Sequence, residues 1–385
     1  MRISERHYFT AALSLSLLVP LWLFNNCATD VQFSSIEVLS LEDSQGASIS
    51  DTTHTSNPPL NLPPAIQPPE RNVVQIRQQV QIDKKPLDIL FVIDNSGSMT
   101  AYQQNMGERI SGFLDHLEGL DWQIAVTSTD PNEITRDRRG HRVSWGDGQF
   151  RSFLSSEHQP ILRANDPSTL GQAQLLLANA IEMGARGSGD ERGIRATYRA
   201  LERRSSDIGQ AAFFRQDSAL AVVLISDEDE CSNGVCSTSH SPEKSLPENL
   251  LEQVRSQFGK EKRFVFNSFI HKQGQCPGAH RAAREGNTYR ELSNETGGLV
   301  GLVCAEDYGQ QLSDLGSLVK QLAYETKLAC EPLEKSETGA IDLKIMSNDG
   351  LVETSFSVEE NNLLFSSGLP SGSYTLEYSC YEDEI

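Results

Sequence analysis

Basic residues are scarce in this 385-residue chain: 33 Lys and Arg stand against 53 Asp and Glu, for a formal net charge of −20. So negative a surface repels phosphate backbones and argues against nucleic-acid binding; it suits a cation or a basic partner. Several chemistries lack their residues. There is no Cys-x-x-Cys pair and no His-Glu-x-x-His motif, and the eight histidines are scattered, which argues against zinc. No Gly-x-Ser-x-Gly elbow marks a serine hydrolase. The glycine-rich stretch GARGSGDERG lacks the Lys-Ser/Thr of a phosphate loop. A dehalogenase-type phosphatase needs a second Asp two residues after its strand-end Asp, and here that residue is Ser96. Long hydrophobic runs are missing too: AALSLSLLVPLWLF, near the start, is too short for a comfortable membrane span.

That run follows Arg2 and Arg6 and precedes NNCATD, the layout of a secretory signal peptide. Cys27 stands where a bacterial lipoprotein would carry its lipid, although Asn26 replaces the usual small residue. The expectation is an exported lipoprotein of the bacterial cell envelope, anchored to the membrane through Cys27, in the outer membrane and facing the periplasm or the outside. With Cys27 acylated, six cysteines remain, an even number suited to disulfides. Local spacing suggests Cys231–Cys236, Cys276–Cys304 and Cys330–Cys380.

Residues 28–70 are polar and unpatterned and end in six prolines between Pro58 and Pro69, which reads as an extended spacer. Order is expected from about residue 71, with VVQIRQQVQI as an edge strand. LDILFVI is a continuous apolar run, the mark of a strand covered on both faces of a parallel sheet. Residues 101–120 place Met106, Ile110, Phe113, Leu114 and Leu117 at helical spacing. Strands and helices then alternate to about residue 328, which predicts an α/β, doubly wound, mostly parallel sheet with helices on both faces. Between Thr129 and Asp166 the pattern lapses into a hairpin or surface loop, with GQFRSFL as a possible strand. Residues 330–385 read as a small β module. The expected organisation is a signal peptide over 1–27, a linker over 28–70, an α/β domain over 71–329 and the β module.

Ligands of doubly wound sheets bind at the carboxyl ends of the strands. Three such ends carry oxygen ligands: Asp94, Ser96 and Ser98 in DNSGS; Ser188 and Asp190 in GSGDERG; and Asp227 in SDEDE. A carboxylate cluster at the rim of an apolar sheet needs neutralising, and hard oxygens suit Mg²⁺, with Mn²⁺ and Ca²⁺ as alternatives. Glu228, Asp229 and Glu230 read either as a solvated acidic edge or as further cation contacts.

The stretch DILFVIDNSGSM resembles the first metal-binding motif of von Willebrand factor type A domains, the DxSxS pattern of the metal-ion-dependent adhesion site. The resemblance spans roughly residues 86–328. It implies that Ser96 and Ser98 bind a divalent cation directly, and that Asp94 and Asp227 act directly or through water. The family's second-loop threonine falls on Asp190, a departure that leaves Asp190 or Ser188 for that role. It also implies an open metal position, completed by an Asp or Glu carboxylate of a partner protein or surface ligand. The functional expectation is a cation-dependent protein-binding or adhesion module and not an enzyme. The alternatives are a scaffold with a vestigial metal site and a metal-assisted hydrolase.

Overall fold

The computed structural model describes residues 71–384 apart from 155–157, 167, 232–240, 261, 278–282, 325, 335–339, 360 and 366–368. The leader, Cys27, the proline-rich spacer and Cys236 lie outside the described residues. Among those described, no helix is long and apolar enough to cross a membrane.

The chain begins with β1 (Val73–Ile82) and β2 (Leu87–Ile93), followed by α1 (Thr100–Arg109), α2 (Ser111–Asp115) and β3 (Trp122–Ser128). A loop excursion carries the short strands β4 (Thr135–Arg136), β5 (Arg142–Val143) and β6 (Leu162–Arg163) before α3 (Leu170–Ile181), α4 (Gly193–Arg203) and α5 (Ile208–Phe213). Next come β7 (Ala219–Ser226), α6 (Pro247–Phe258), β8 (Phe264–Ile270), α7 (Asn287–Glu295), β9 (Val300–Leu302) and α8 (Gly309–Leu322). The last strands are β10 (Thr326–Lys327), β11 (Leu343–Ser347), β12 (Gly350–Leu351), β13 (Phe356–Glu359), β14 (Asn362–Phe365) and β15 (Gly372–Tyr381).

The central sheet has the order β6-β3-β2-β7-β8-β9. Neighbours from β3 to β9 run parallel, and β6 closes one edge antiparallel. This is the α/β, doubly wound architecture the alternation predicts. Period-two geometry explains the unbroken apolar run of β2. Ile89, Phe91 and Ile93 pack on one face with Met106, Phe113, Leu177 and Leu312. Leu90 and Val92 pack on the other with Ile194, Leu201, Phe213 and Leu250. Each such side chain contributes about 1.5–3 kcal/mol by leaving water.

Three expectations change in detail. The helix expected over 101–120 is two, because the chain tightens at Ile110, whose N–H donates to the Gly107 carbonyl. Gly107 lies where α1 meets α3; a Cβ there would lie 3.4 Å from the Ala178 carbonyl oxygen. The strand expected in GQFRSFL does not form, and the edge of the sheet is instead β6. The lapse in pattern does contain a hairpin, β4–β5, turning through Gly140 at φ 86°.

The third change concerns the β module. β1 pairs antiparallel with β15 through ten residues, from Val73–Tyr381 to Ile82–Gly372, in a sheet of order β1-β15-β11-β12. The strand expected at the edge of the α/β sheet therefore belongs with the C-terminal strands. Residues 330–385 do not form the module alone, because β15 would otherwise present an unpaired edge. One apolar core runs from the α/β body into it through Leu363, Phe365, Leu376 and Tyr378. Disulfides Cys330–Cys380 and Cys276–Cys304 are formed, with Cα atoms 6.2 and 5.5 Å apart. Cys231 is also disulfide-bonded.

Candidate functional site at the strand ends

Parallel strands β2, β3 and β7 release the chain on the same edge of the sheet. Asp94 follows β2 directly, Thr129 follows β3 and Asp227 follows β7. Their positions are held by the sheet's own hydrogen bonding: Asp94 N–H donates to the Ile225 carbonyl (2.9 Å) and Thr129 N–H to that of Ile93 (3.1 Å). Asp94, Thr129, Ser226 and Asp227 are all wholly buried.

The turn after β2 gathers its oxygens. Ser96 N–H donates to Asp94 Oδ1 (2.8 Å), which folds the chain back over the carboxylate. Ser226 Oγ donates to Asp94 Oδ2 (2.6 Å). Ser98 Oγ donates to Asp227 Oδ1 (2.9 Å), and the Ser96 and Ser98 hydroxyls are 3.2 Å apart. Asp94, Ser96, Ser98 and Asp227 thus meet at one corner of the sheet. Buried Gln103 on α1 locks the corner: its Nε2 donates to the carbonyls of Asp94 (2.7 Å) and Gly184 (2.9 Å), and its Oε1 accepts from Gly184 N–H (2.9 Å).

Electrostatically the corner is overloaded with negative charge. Burial, then the charge of Asp227, raises the Asp94 pKa to about 7, against the hydrogen bonds from Ser226 and Ser96. Burial and then Asp227 also raise Tyr102 on α1. Burial and then Asp94 hold Glu191 well above the usual carboxylate range, with Glu228 and Asp130 adding to the repulsion.

The second loop differs from the sequence expectation. Asp190 Oδ2 accepts from Nε and Nη2 of Arg192 (3.1 and 2.9 Å), and that guanidinium is wholly buried. A buried cation requires a counter-charge, so Asp190 is held by Arg192. Ser188 Oγ accepts from Asp190 N–H (3.0 Å), and Ser188 N–H donates to Asp130 Oδ2 (2.9 Å). Neither residue hydrogen-bonds to Asp94, Ser96, Ser98 or Asp227. The acid this loop brings beside Asp94 is Glu191, whose carboxylate accepts from Thr129 Oγ1. Sequence reasoning missed Glu191, Thr129, Ser226 and Gln103. The available signal was weak: an acid next to Asp190, and hydroxyl residues at the ends of two apolar runs.

The acidic run after β7 is neither a solvated edge nor, at two of its positions, a cation site. Glu230 is buried and accepts from the N–H groups of Ile194 and Arg195 (2.8 and 3.3 Å), satisfying the open start of α4. Asp229 does the same for α7 through Thr288 N–H and Oγ1 (3.1 and 3.0 Å). Burial raises Glu230 to about 7.

A divalent cation fits this donor set through oxygens of mixed type. Among the described residues no three His, Cys, Asp or Glu side chains close on a common point. Asp94 and Asp227 would supply charge while Ser96 and Ser98 supply neutral oxygens, the ligand class of a hard cation that keeps waters. Each Asp94 oxygen accepts one of the protein hydrogen bonds named above, so a lone pair on each is left for water or an ion.

No known family profile matches the chain, and no curated protein matches it. Solved structures do. A von Willebrand factor type A structure from Catenulispora acidiphila is 13% identical at a TM-score of 0.36, covering 82% of this chain and 66% of that one. The pilus adhesin SpaC from Lactobacillus rhamnosus GG is 9% identical at 0.37, covering 81% and 42%. The manganese-loaded TRAP protein of Plasmodium vivax is 9% identical at 0.34, covering 63% and 76%. This chain thus spans less than two thirds of the first two.

Proposed function

We propose that residues 71–384 form a divalent-cation-dependent protein-binding module, of adhesion type and without catalytic chemistry, borne on an exported and lipid-anchored bacterial envelope protein. One observation carries the cation reading: two buried carboxylates, Asp94 and Asp227, with the Ser96 and Ser98 hydroxyls between them, at the carboxyl end of a parallel sheet. Like charges buried together are costly, and a cation is the usual remedy. When bound, the cation, Mg²⁺ by ligand type, offsets that repulsion and offers a position to an Asp or Glu carboxylate of a protein or surface ligand. The residues of this chain do the holding. Ser226 and the Ser96 N–H orient Asp94, Ser98 orients Asp227, and Gln103 keeps the first two loops together. The leader motif and Cys27 support the lipid anchor, and the proline-rich segment supports display away from it.

The test is Mg²⁺-dependent thermal stability of the parent and Asp94→Ala. The parent melts higher with Mg²⁺ than with chelator; in Asp94→Ala the difference vanishes. A variant that responds to Mg²⁺ like the parent overturns the site.

A second reading, a scaffold with a vestigial site, draws on Asp190 being held by Arg192 and on Glu191 standing in the second loop. Calorimetric titration separates the two. Saturable heat with Mg²⁺ or Mn²⁺ supports the binding module, and no heat with either or with Ca²⁺ supports the scaffold.

A further inference from the structure

The excursion between β3 and α3 touches the strand-end loops through Thr129, Asp130 and Thr135, and farther along it walls a cavity of about 880 Å³. That volume falls within the ~300–1,000 Å³ typical of small-molecule sites. Phe150, Phe153, Leu176 and Met183 supply its apolar lining. Its polar lining includes Arg139, His141, His158 and Gln210, and Arg151, whose guanidinium lies 4.8 Å over the Trp145 ring and whose Nη1 donates to the Ala180 carbonyl (2.6 Å).

The carboxylates around Arg151 are committed elsewhere. Glu182 pairs with Arg138 at 2.9 Å. Asp137 accepts from the N–H groups of Arg139 and His141 and sits 3.2 Å from the His141 ring. Asp207 accepts from Gln210 N–H at the start of α5. Among the described residues Arg151 makes no ion pair; the charge of Arg138 opposes its own, and those of Asp137 and Glu182 favour it without pairing with it. Burial pulls its pKa down to about 10, so the guanidinium remains charged. A half-buried cation without a directly paired carboxylate is costly, and Arg matches a carboxylate in plane with two parallel hydrogen bonds.

We propose that this cavity binds a small organic carboxylate, with its acid group on Arg151 and an apolar or aromatic body against Phe150, Phe153 and Leu176. Arg139 also lines the cavity but is exposed, so Arg151 is its half-buried guanidinium without an ion pair, and in a chain of net charge −20 it suits a singly charged group. The lining is mixed, and its apolar part, Phe150, Phe153 and Leu176, offers contact to a hydrocarbon body, which inorganic anions lack. The site is independent of the cation reading, because Asp94 and Asp227 do not line it.

The test titrates the full chain calorimetrically with 4-phenylbutyrate and decanoate, and with the corresponding alcohols. At least one carboxylate binds saturably, about tenfold or more tighter than its alcohol, the effect of one charge-assisted contact. Arg151→Met removes that preference and Arg151→Lys keeps part of it. Leu176→Trp, reaching in from α3, blocks binding without altering the melt, and it decides the matter should Arg151→Met fail to fold. Asp94→Ala leaves carboxylate binding unchanged. Absence of saturable binding by either carboxylate, equal binding by Arg151→Met, or inorganic phosphate binding as tightly overturns the proposal.

Discussion

Single side chains in this protein carry unusual electrostatic burdens, and their signs can be worked out. Asp94 and Glu230 are both raised to about 7, chiefly by burial. Each holds its proton more tightly folded than unfolded. Between the ordinary carboxylate range near 4 and about 7 the folded state therefore binds more protons, and the stability of the cation-free protein falls as pH rises through that window. Thermal melts in chelator should drop in Tm from about pH 4.5 to pH 7.5, and Asp94→Asn and Glu230→Gln should each flatten part of that slope. A slope unchanged in the double variant refutes the assignment. At the opposite end of β2, Asp88 is buried and meets Arg215 Nε (2.8 Å), Arg215 N–H (2.8 Å), Gln123 Nε2 (3.0 Å) and the Ser218 hydroxyl. Asp88→Ala strands these donors and should cost about 3 kcal/mol in urea unfolding. A loss below about 1 kcal/mol would show that water replaces the carboxylate.

At the scale of elements, loops meet at the site with little clearance. Gly187 donates its N–H to the Asn95 carbonyl (2.8 Å), and a Cβ on it would lie 2.3 Å from Asn95 Oδ1. Asn95 is itself buried, with Nδ2 on Thr135 Oγ1 (3.0 Å). Gly187→Ala should displace Asn95, which sits between Asp94 and Ser96, and lower Mg²⁺ stabilisation while the far-ultraviolet circular dichroism stays that of the parent. A full Mg²⁺ response in this variant would show that the turn after β2 tolerates the shift. The same tightness explains why the acids after β7 cannot be solvated: α4 and α7 begin against that loop, and their open N–H groups take Glu230 and Asp229.

For the molecule as a whole, closure comes from its two described ends. β1 and β15 pair along their whole length, and Cys330–Cys380 ties β15 to the exit from the α/β body. The bridge closes a loop with a sequence separation of 50. Its removal as Cys330→Ser with Cys380→Ser should cost about 4 kcal/mol by the loop-entropy estimate. Guanidinium unfolding measures this. A change under about 1 kcal/mol would mean that strand pairing alone holds the module to the body.

The alternation of apolar runs with helical periods was enough to predict the parallel sheet and the strand end on which Asp94 stands, because both depend on local periods of two and near four residues. Two cysteine pairings were also legible. The partner of β1 was not, since an alternating ten-residue strand fits the edge of either sheet and only the register with residues 372–381, some three hundred positions away, distinguishes them. Nor were the roles of Asp190 and Glu191. The two are adjacent, and which faces Arg192 and which faces Asp94 depends on how a loop packs against buried groups from three other segments. Local order follows from neighbouring residues, but the partners of a buried charge are set by whatever else must be removed from water beside it.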